Sequence, residues 1–223
     1  MEKGRRAIDD EQKEVRRQTI LDTAWQLYQQ HSYETLTIAD VAQATGLAKG
    51  TIFLYFKTKE ALFLVVVEQQ LESWFFEVNG VLESLAGRAT IPQIAALFND
   101  SLGKRPALTR LLAILHTLLE QNIDESAARQ FKRMLKEHFL QTGNWLEKSL
   151  PFLGLGQGAH CLLQCYALVI GFWHLTDAAP IVRRVLQEEE FQMFALDFAR
   201  EFPLAMQSLL YGLEHEAHLK KEV

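Results

Sequence analysis

Three side chains between residues 49 and 55 can act on a polyanion without covalent chemistry. Thr51 and Tyr55 carry hydroxyls that donate to phosphate oxygens, and Lys49 carries an ammonium group that attracts them. Nothing comparable supports bond-making. Cys161 and Cys165, with His160 beside them, fall short of the three or four converging ligands a metal site needs, so they read as small core residues. "HEAH" (215–218) lacks the four-residue spacing of a zinc protease helix, and "GLGQG" (154–158) follows a helix where a nucleotide fingerprint follows a strand. There is no Gly-x-Ser-x-Gly elbow and no paired-carboxylate constellation. The expectation is a chain without catalytic residues, metal or cofactor, and not an enzyme.

The polyanion-facing residues need elements to position them. They lie in "TIADVAQATGLAKGTIFLYFKTKEAL" (37–62), which reads as helix 38–45, a turn at Gly46 and helix 49–55. Thr37 is placed to cap the first helix. Gly46 permits the positive φ that the turn requires. Ala42 is small where the second helix approaches the first, and Val41, Leu47, Ile52 and Tyr55 recur at the spacing that buries one side of each helix. The second helix then presents Ala48, Lys49, Gly50, Thr51, Phe53 and Leu54 outward. An ordinary helical hairpin would show the same glycine, alanine and apolar spacing.

The rest of the chain is all-α by pattern. No alternating strand run or Asn-Gly or Asp-Gly hairpin turn occurs. Helices are expected over 11–31, 59–78, 91–102, 106–121, 125–149, 157–176, 181–187 and 197–213, with a kink or break at Pro203 and a frayed polar tail from about residue 214. "CLLQCYALVIGFWHL" (161–175) contains a glutamine, reads as too short to span a bilayer, and is expected to be a buried helix. The 223 residues carry a net charge of −5. Residues 1–60 balance nine basic against nine acidic side chains, so the excess of acid lies entirely beyond them. Any nucleic-acid contact therefore sits near the N-terminus and depends on placement rather than bulk charge. Two cysteines and no apolar run after the first arginines point to a reducing, cytoplasmic setting without a signal peptide or membrane partner.

"RRQTILDTAWQLYQQHSYETLTIADVAQATGLAKGTIFLYFKTKEALF" resembles the N-terminal domain of the tetracycline-repressor (TetR) family of transcription regulators. The resemblance covers about residues 12–70. It implies a three-helix helix-turn-helix DNA-binding domain, here 1–75, and a larger helical ligand-binding and dimerisation domain, 76–223. It implies further that Thr37, Tyr55 and Lys57 touch phosphates and that Ala48 to Leu54 face base edges of a double-stranded operator. Ala48, Phe53 and Leu54 depart from the family's frequent serine, tyrosine and histidine, which favours contact with thymine methyls. Arg16 or Arg17 can add cations, and Arg5 and Arg6 are either part of a DNA-contacting arm or simply solvated.

The second region is read on its own residues. Leu112, His116 and Leu119 share one helical face, which points the imidazole into apolar surroundings, as a core histidine or as a polar group orienting a ligand. Phe98, Gln164, Trp173 and His174 carry the same ambiguity between core and pocket wall. A flat, lipophilic effector with an acceptor or weak acid would suit them. Ala167 and Gly171, with Phe198, Phe202, Met206 and Leu210, look like the seam of a homodimeric four-helix bundle, or else intrachain packing. The function expected is a dimeric, effector-released repressor whose recognition helices lie about 34–36 Å apart. A helical enzyme or carrier with a vestigial helix-turn-helix is the alternative.

Overall fold

The computed structural model describes residues 2–220, with side chains from Glu11 onward. No strand occurs among the described residues. The helices are α1 (Glu2–Gln30), α2 (Ile38–Thr45), α3 (Lys49–Tyr55), α4 (Lys59–Ser84), α5 (Ile91–Gly103), α6 (Pro106–Ile114), α7 (Glu125–Ser149), α8 (Gln157–Thr176), α9 (Pro180–Val185) and α10 (Phe198–Leu219). A π-helical turn, Leu115–Leu119, continues α6, and a 3-10 turn, Glu189–Phe194, precedes α10. Two compact units form. The first holds residues 1–70 and 114–131, and the second holds 71–113 and 132–223. The chain thus crosses between units three times, at 70/71, 113/114 and 131/132.

In the first unit, short-range chemistry sets the ends of α2. The Thr37 hydroxyl accepts from Asp40 N (3.3 Å) while the Asp40 carboxylate accepts from Thr37 N (2.8 Å), a closed capping box. Gly46 takes φ +68°, and the N–H of Leu47 returns to Ala42 O at 3.0 Å. Ile20, Ala24 and Tyr28 of α1, Val41 and Ala42 of α2, Ile52 of α3 and Leu62, Phe63 and Val66 of α4 are buried together as its core.

α4 runs through Asn79 and Gly80 to Ser84, beyond the end at 78 that the sequence pattern gives. Val78 and Leu82 are fully buried, so the apolar repeat continues and burial outweighs the poor helix propensity of Asn-Gly. α10 likewise passes unbroken through Pro203 and reaches Leu219, where a kink or break and a frayed tail were expected. One backbone bond is lost at Pro203, but Phe202, Met206 and Leu210 are buried on the same side of the helix and hold it.

That burial also corrects the seam. Phe202, Met206 and Leu210 are fully buried inside this chain's second unit and pack α10 within it, and half-buried Phe198 lies edge-on to Trp173 of α8 (6.3 Å, 66°). Helical periodicity shows that a face is covered, not what covers it. α8 is the reverse case. It was expected to be buried, yet Leu163, Ala167, Gly171 and Leu175 are exposed along one stripe, and a Cβ on Gly171 would meet nothing within 4 Å. At 20 residues it is long and apolar enough to cross a membrane by length and composition, and only 28% of its apolar window is buried.

α7 and α8 meet through two glycines. A Cβ on Gly143 would lie 2.8 Å from Ala159 Cα, and one on Gly158 would lie 2.7 Å from the carbonyl carbon of Gly143. Only hydrogen at both positions permits that backbone approach. Cys161 and Cys165, one and two turns further on, are buried free thiols, as core residues should be. Burial pushes the Cys161 thiol up to about 11 and raises that of Cys165 further.

Candidate nucleic-acid interface

α3 buries a single side chain fully, Ile52, and turns the rest of its length outward. Ala48, Lys49 and Gly50 are exposed, Thr51 and Tyr55 are half-buried, and Leu54 stands 85% exposed beside Phe53. The Lys49 ammonium lies 5.8 Å from the centre of the Phe53 ring one turn on. Neither apolar side chain, Phe53 or Leu54, is buried within the chain. The sequence-based outward face Ala48–Leu54 and the inward Ile52 therefore coincide with the structure.

Thr37 is exposed at the edge of this face, but its hydroxyl is engaged. It donates to Asp40 Oδ2 at 2.7 Å and accepts from Asp40 N. Hydrogen bonds from the Thr37 hydroxyl, then its backbone N–H, hold the Asp40 carboxyl below its usual range. Thr37 is thus first a cap.

The start of α4 is anchored by groups that sequence reading passed over. Lys59 donates to the Tyr33 carbonyl, and its ammonium sits 3.8 Å from the Tyr33 ring centre. The Tyr33 hydroxyl donates to Glu60 at 3.3 Å. Burial first, then Glu60, raises the Tyr33 hydroxyl's pKa, and burial lowers that of Lys59. The Thr58 hydroxyl accepts from Ala61 N (3.0 Å), capping α4, and donates to Asn122 O (3.1 Å).

Lys57 faces an internal competitor. Its ammonium lies 3.8 Å from Asp124 Oδ2, with both side chains largely in solvent. Asp124 in turn caps α7 by accepting from Ala127 N at 2.9 Å. A groove of about 310 Å³ is lined by Tyr55, Lys57, Leu64, Ile123 and Asp124, with Arg17 also among its walls. Arg5 and Arg6 lie outside the residues whose side chains are described.

The expected pocket residues scatter. His116 belongs to the first unit and is exposed, with Nδ1 2.9 Å from Glu120 Oε2. The π-turn explains the miss. Glu120 N bonds five residues back to Leu115 O (2.9 Å), so one extra residue in the turn places Leu115 and Leu119 in the core and swings His116 to the surface. The apolar surroundings expected of His116 do not apply. In the second unit, Phe98 is fully buried edge-on to Trp74 (5.8 Å) as core packing, and His174 is exposed, with a ring nitrogen 3.2 Å from Ala113 O. Trp173 is half-buried against Phe198 (6.3 Å), and Gln164 carries a buried oxygen without a partner in the chain. No group of three or more metal-ligating side chains occurs among the described residues.

Residues 20–66 match the sequence profile of the bacterial regulatory proteins of the tetR family, and residues 68–217 match that of the tetracyclin repressor-like C-terminal domain. The transcriptional regulator RutR of Escherichia coli is 22% identical over 185 residues, 79% of this chain and 83% of RutR. The uncharacterized regulator YerO of Bacillus subtilis is 30% identical over 89 residues, 38% of this chain and 31% of YerO. The repressor AcnR of Corynebacterium glutamicum is 34% identical over 79 residues, 34% of this chain and 42% of AcnR. Among solved structures, the TetR-family repressor AlkX from Dietzia aligns with TM-score 0.53 at 17% identity, over 91% of this chain and 95% of AlkX. FadR from Bacillus subtilis in complex with stearoyl-CoA aligns with TM-score 0.51 at 16% identity, over 86% and 97%. These two alignments speak to the fold alone. With both halves matched and the outward-facing helix in place, the chain belongs to the tetracycline-repressor family of DNA-binding transcriptional regulators.

Proposed function

We propose that the chain is a cytoplasmic homodimeric repressor that grips a palindromic operator through α3 and lets go when a small molecule binds its second unit. The observation that carries this reading is the outward row Ala48–Leu54 on a helix whose one buried residue is Ile52. Phe53, Leu54 and Ala48 meet thymine methyls, Lys49 and Thr51 reach base edges or phosphate, Gly50 lets the backbone approach, and Thr37, Tyr55 and Lys57 lie along phosphates. Functionally, residues 1–75 read DNA, and 76–223 bind effector and pair two chains.

The pairing surface is reassigned. It is the uncharged stripe Leu163, Ala167, Gly171 and Leu175 of α8, with exposed Leu204 and Tyr211 of α10. Gln164 and Trp173 remain effector-facing. Effector binding shifts a population between two arrangements, and α4 is the lever, with Lys59–Ser84 shared between both units. Selection of bound DNA from a random pool tests the reading. Enrichment of a palindrome supports it; no enriched sequence overturns it.

A further inference from the structure

Among the buried polar atoms of the second unit that find no hydrogen-bond partner in the chain are Asn79 Oδ1 on α4, His138 Nδ1 and Thr142 Oγ1 on α7, and Gln164 Oε1 on α8. Thr142 is fully buried and Asn79 nine-tenths buried. Those on α4 and α7 converge. The Phe75 and His138 rings stack flat at 4.8 Å, and further along both helices the Ser149 hydroxyl donates to Leu82 O at 3.1 Å. α4 and α7 therefore run in the same direction. One turn on from Phe75 is Asn79, and one turn on from His138 is Thr142. Each step advances about 6 Å on the same helical face, so these two side chains stay level.

α8 returns antiparallel to α7 after the short 150–156 connection, pinned where Gly143 meets Ala159. Five residues on from Ala159 is Gln164, about 140° round α8 from the face that meets Gly143, so Gln164 stands apart from the layer that Asn79, His138 and Thr142 share. The layer is closed on one side by Phe75 and Phe139 (6.0 Å, 67°) and on the other by fully buried Leu82 and Leu146. It is a polar belt inside an apolar sleeve, and buried polar atoms are paired in native proteins.

Building on the effector-released reading above, we propose that this belt receives the polar end of the effector: a neutral molecule with an N–H or O–H donor, such as a primary amide, on an apolar ring. The unpaired amide atom of Asn79 is an oxygen, which only accepts, so the complement must donate. Neither Asn79 nor Thr142 carries a charge that would select an ion. This moves the effector away from a purely lipophilic molecule.

The test uses a matched pair of probes at millimolar concentration on the full chain. Benzamide offers two N–H donors, and N,N-dimethylbenzamide offers none. Thermal shift and calorimetric titration are expected to show benzamide binding about tenfold or more tightly. Thr142→Val together with Asn79→Leu abolishes that preference, while Thr142→Ser, which restores a hydroxyl, retains it. Because Thr142 bonds to nothing in the free chain, Thr142→Val alone leaves the melting temperature unchanged or raises it. Equal binding of the two probes, a preference that survives the double variant, or a clear loss of stability in Thr142→Val each overturns the assignment. Palindrome selection is scored separately. Failure of the probe pair with operator binding intact refutes the belt alone; loss of operator binding refutes the regulator reading.

Discussion

Replacing Asp124 with asparagine should make the protein bind its operator more tightly. The carboxylate holds Lys57 at 3.8 Å in an ion pair whose side chains are 57% and 86% exposed. Exposed pairs of this kind are worth about 0.2–1 kcal/mol. A phosphate that recruits Lys57 must first break the pair, so a dimer with two copies recovers about 0.4–2 kcal/mol when the competitor is gone. That is roughly a 2- to 30-fold lower Kd. Asparagine keeps the bond from Ala127 N and caps as well as aspartate, so α7 should start where it does now. The assay is fluorescence anisotropy on operator DNA across a salt series, for Lys57→Ala, Asp124→Asn and the double variant. Lys57→Ala should lower the slope of log K against log salt by about 0.9 per half-site. In the double variant the gain from Asp124→Asn should disappear, because no ammonium remains to be released. A gain that persists without Lys57 would show Asp124 acting on DNA by its own field and would refute the competition.

Thr37→Ala opens the capping box and should cost about 1 kcal/mol, read as a few degrees of melting temperature. Its partner gives a pH signature. The Asp40 carboxyl is depressed in the folded chain, so its contribution is fully present above the ordinary aspartate range of about 4 and is lost as pH falls through the folded value; melts between neutral and strongly acid pH should show that loss in the parent and not in Thr37→Ala. Gly143→Ala drives a methyl into the α8 backbone and should cost about 3 kcal/mol by denaturant titration, whereas Gly80→Ala, with nothing within 4 Å, should gain about 0.5–1 kcal/mol. Gly171→Leu should leave the single chain folded, since its surroundings are open, and split the dimer in light scattering; a full-size dimer would place the seam elsewhere.

What could be read from sequence was what nearest neighbours determine. The cap at Thr37, the left-handed Gly46 and the alternation of buried Ile52 with exposed Leu54 are all decided within a few residues, and each stands where its local pattern puts it. Phe202, Met206 and Leu210 show the limit, because a buried stripe on α10 looks the same whether its cover is its own unit or a second chain. His116 shows another. A regular helical period was projected through a π-turn, and one extra residue reversed which side chains were inside. Two signals were available and missed. Gly143 sits in the middle of a 25-residue helix, where glycine costs about 1 kcal/mol against alanine and so points to a close approach. Asp124, one residue before α7, had the position of an N-cap within reach of a basic segment.

The sealed thiols of α8 have a practical consequence for any regulator built this way. With the Cys161 thiol pushed up to about 11, roughly one molecule in ten thousand carries that thiolate at neutral pH, and Cys165 carries less. Peroxide and alkylating reagents attack thiolates that they can reach, and here they find neither charge nor access. The folded chain is therefore deaf to oxidants at these two positions. A single cysteine introduced on the outer face of α3 or α8 would be the one to take a fluorophore, with the native pair left in place.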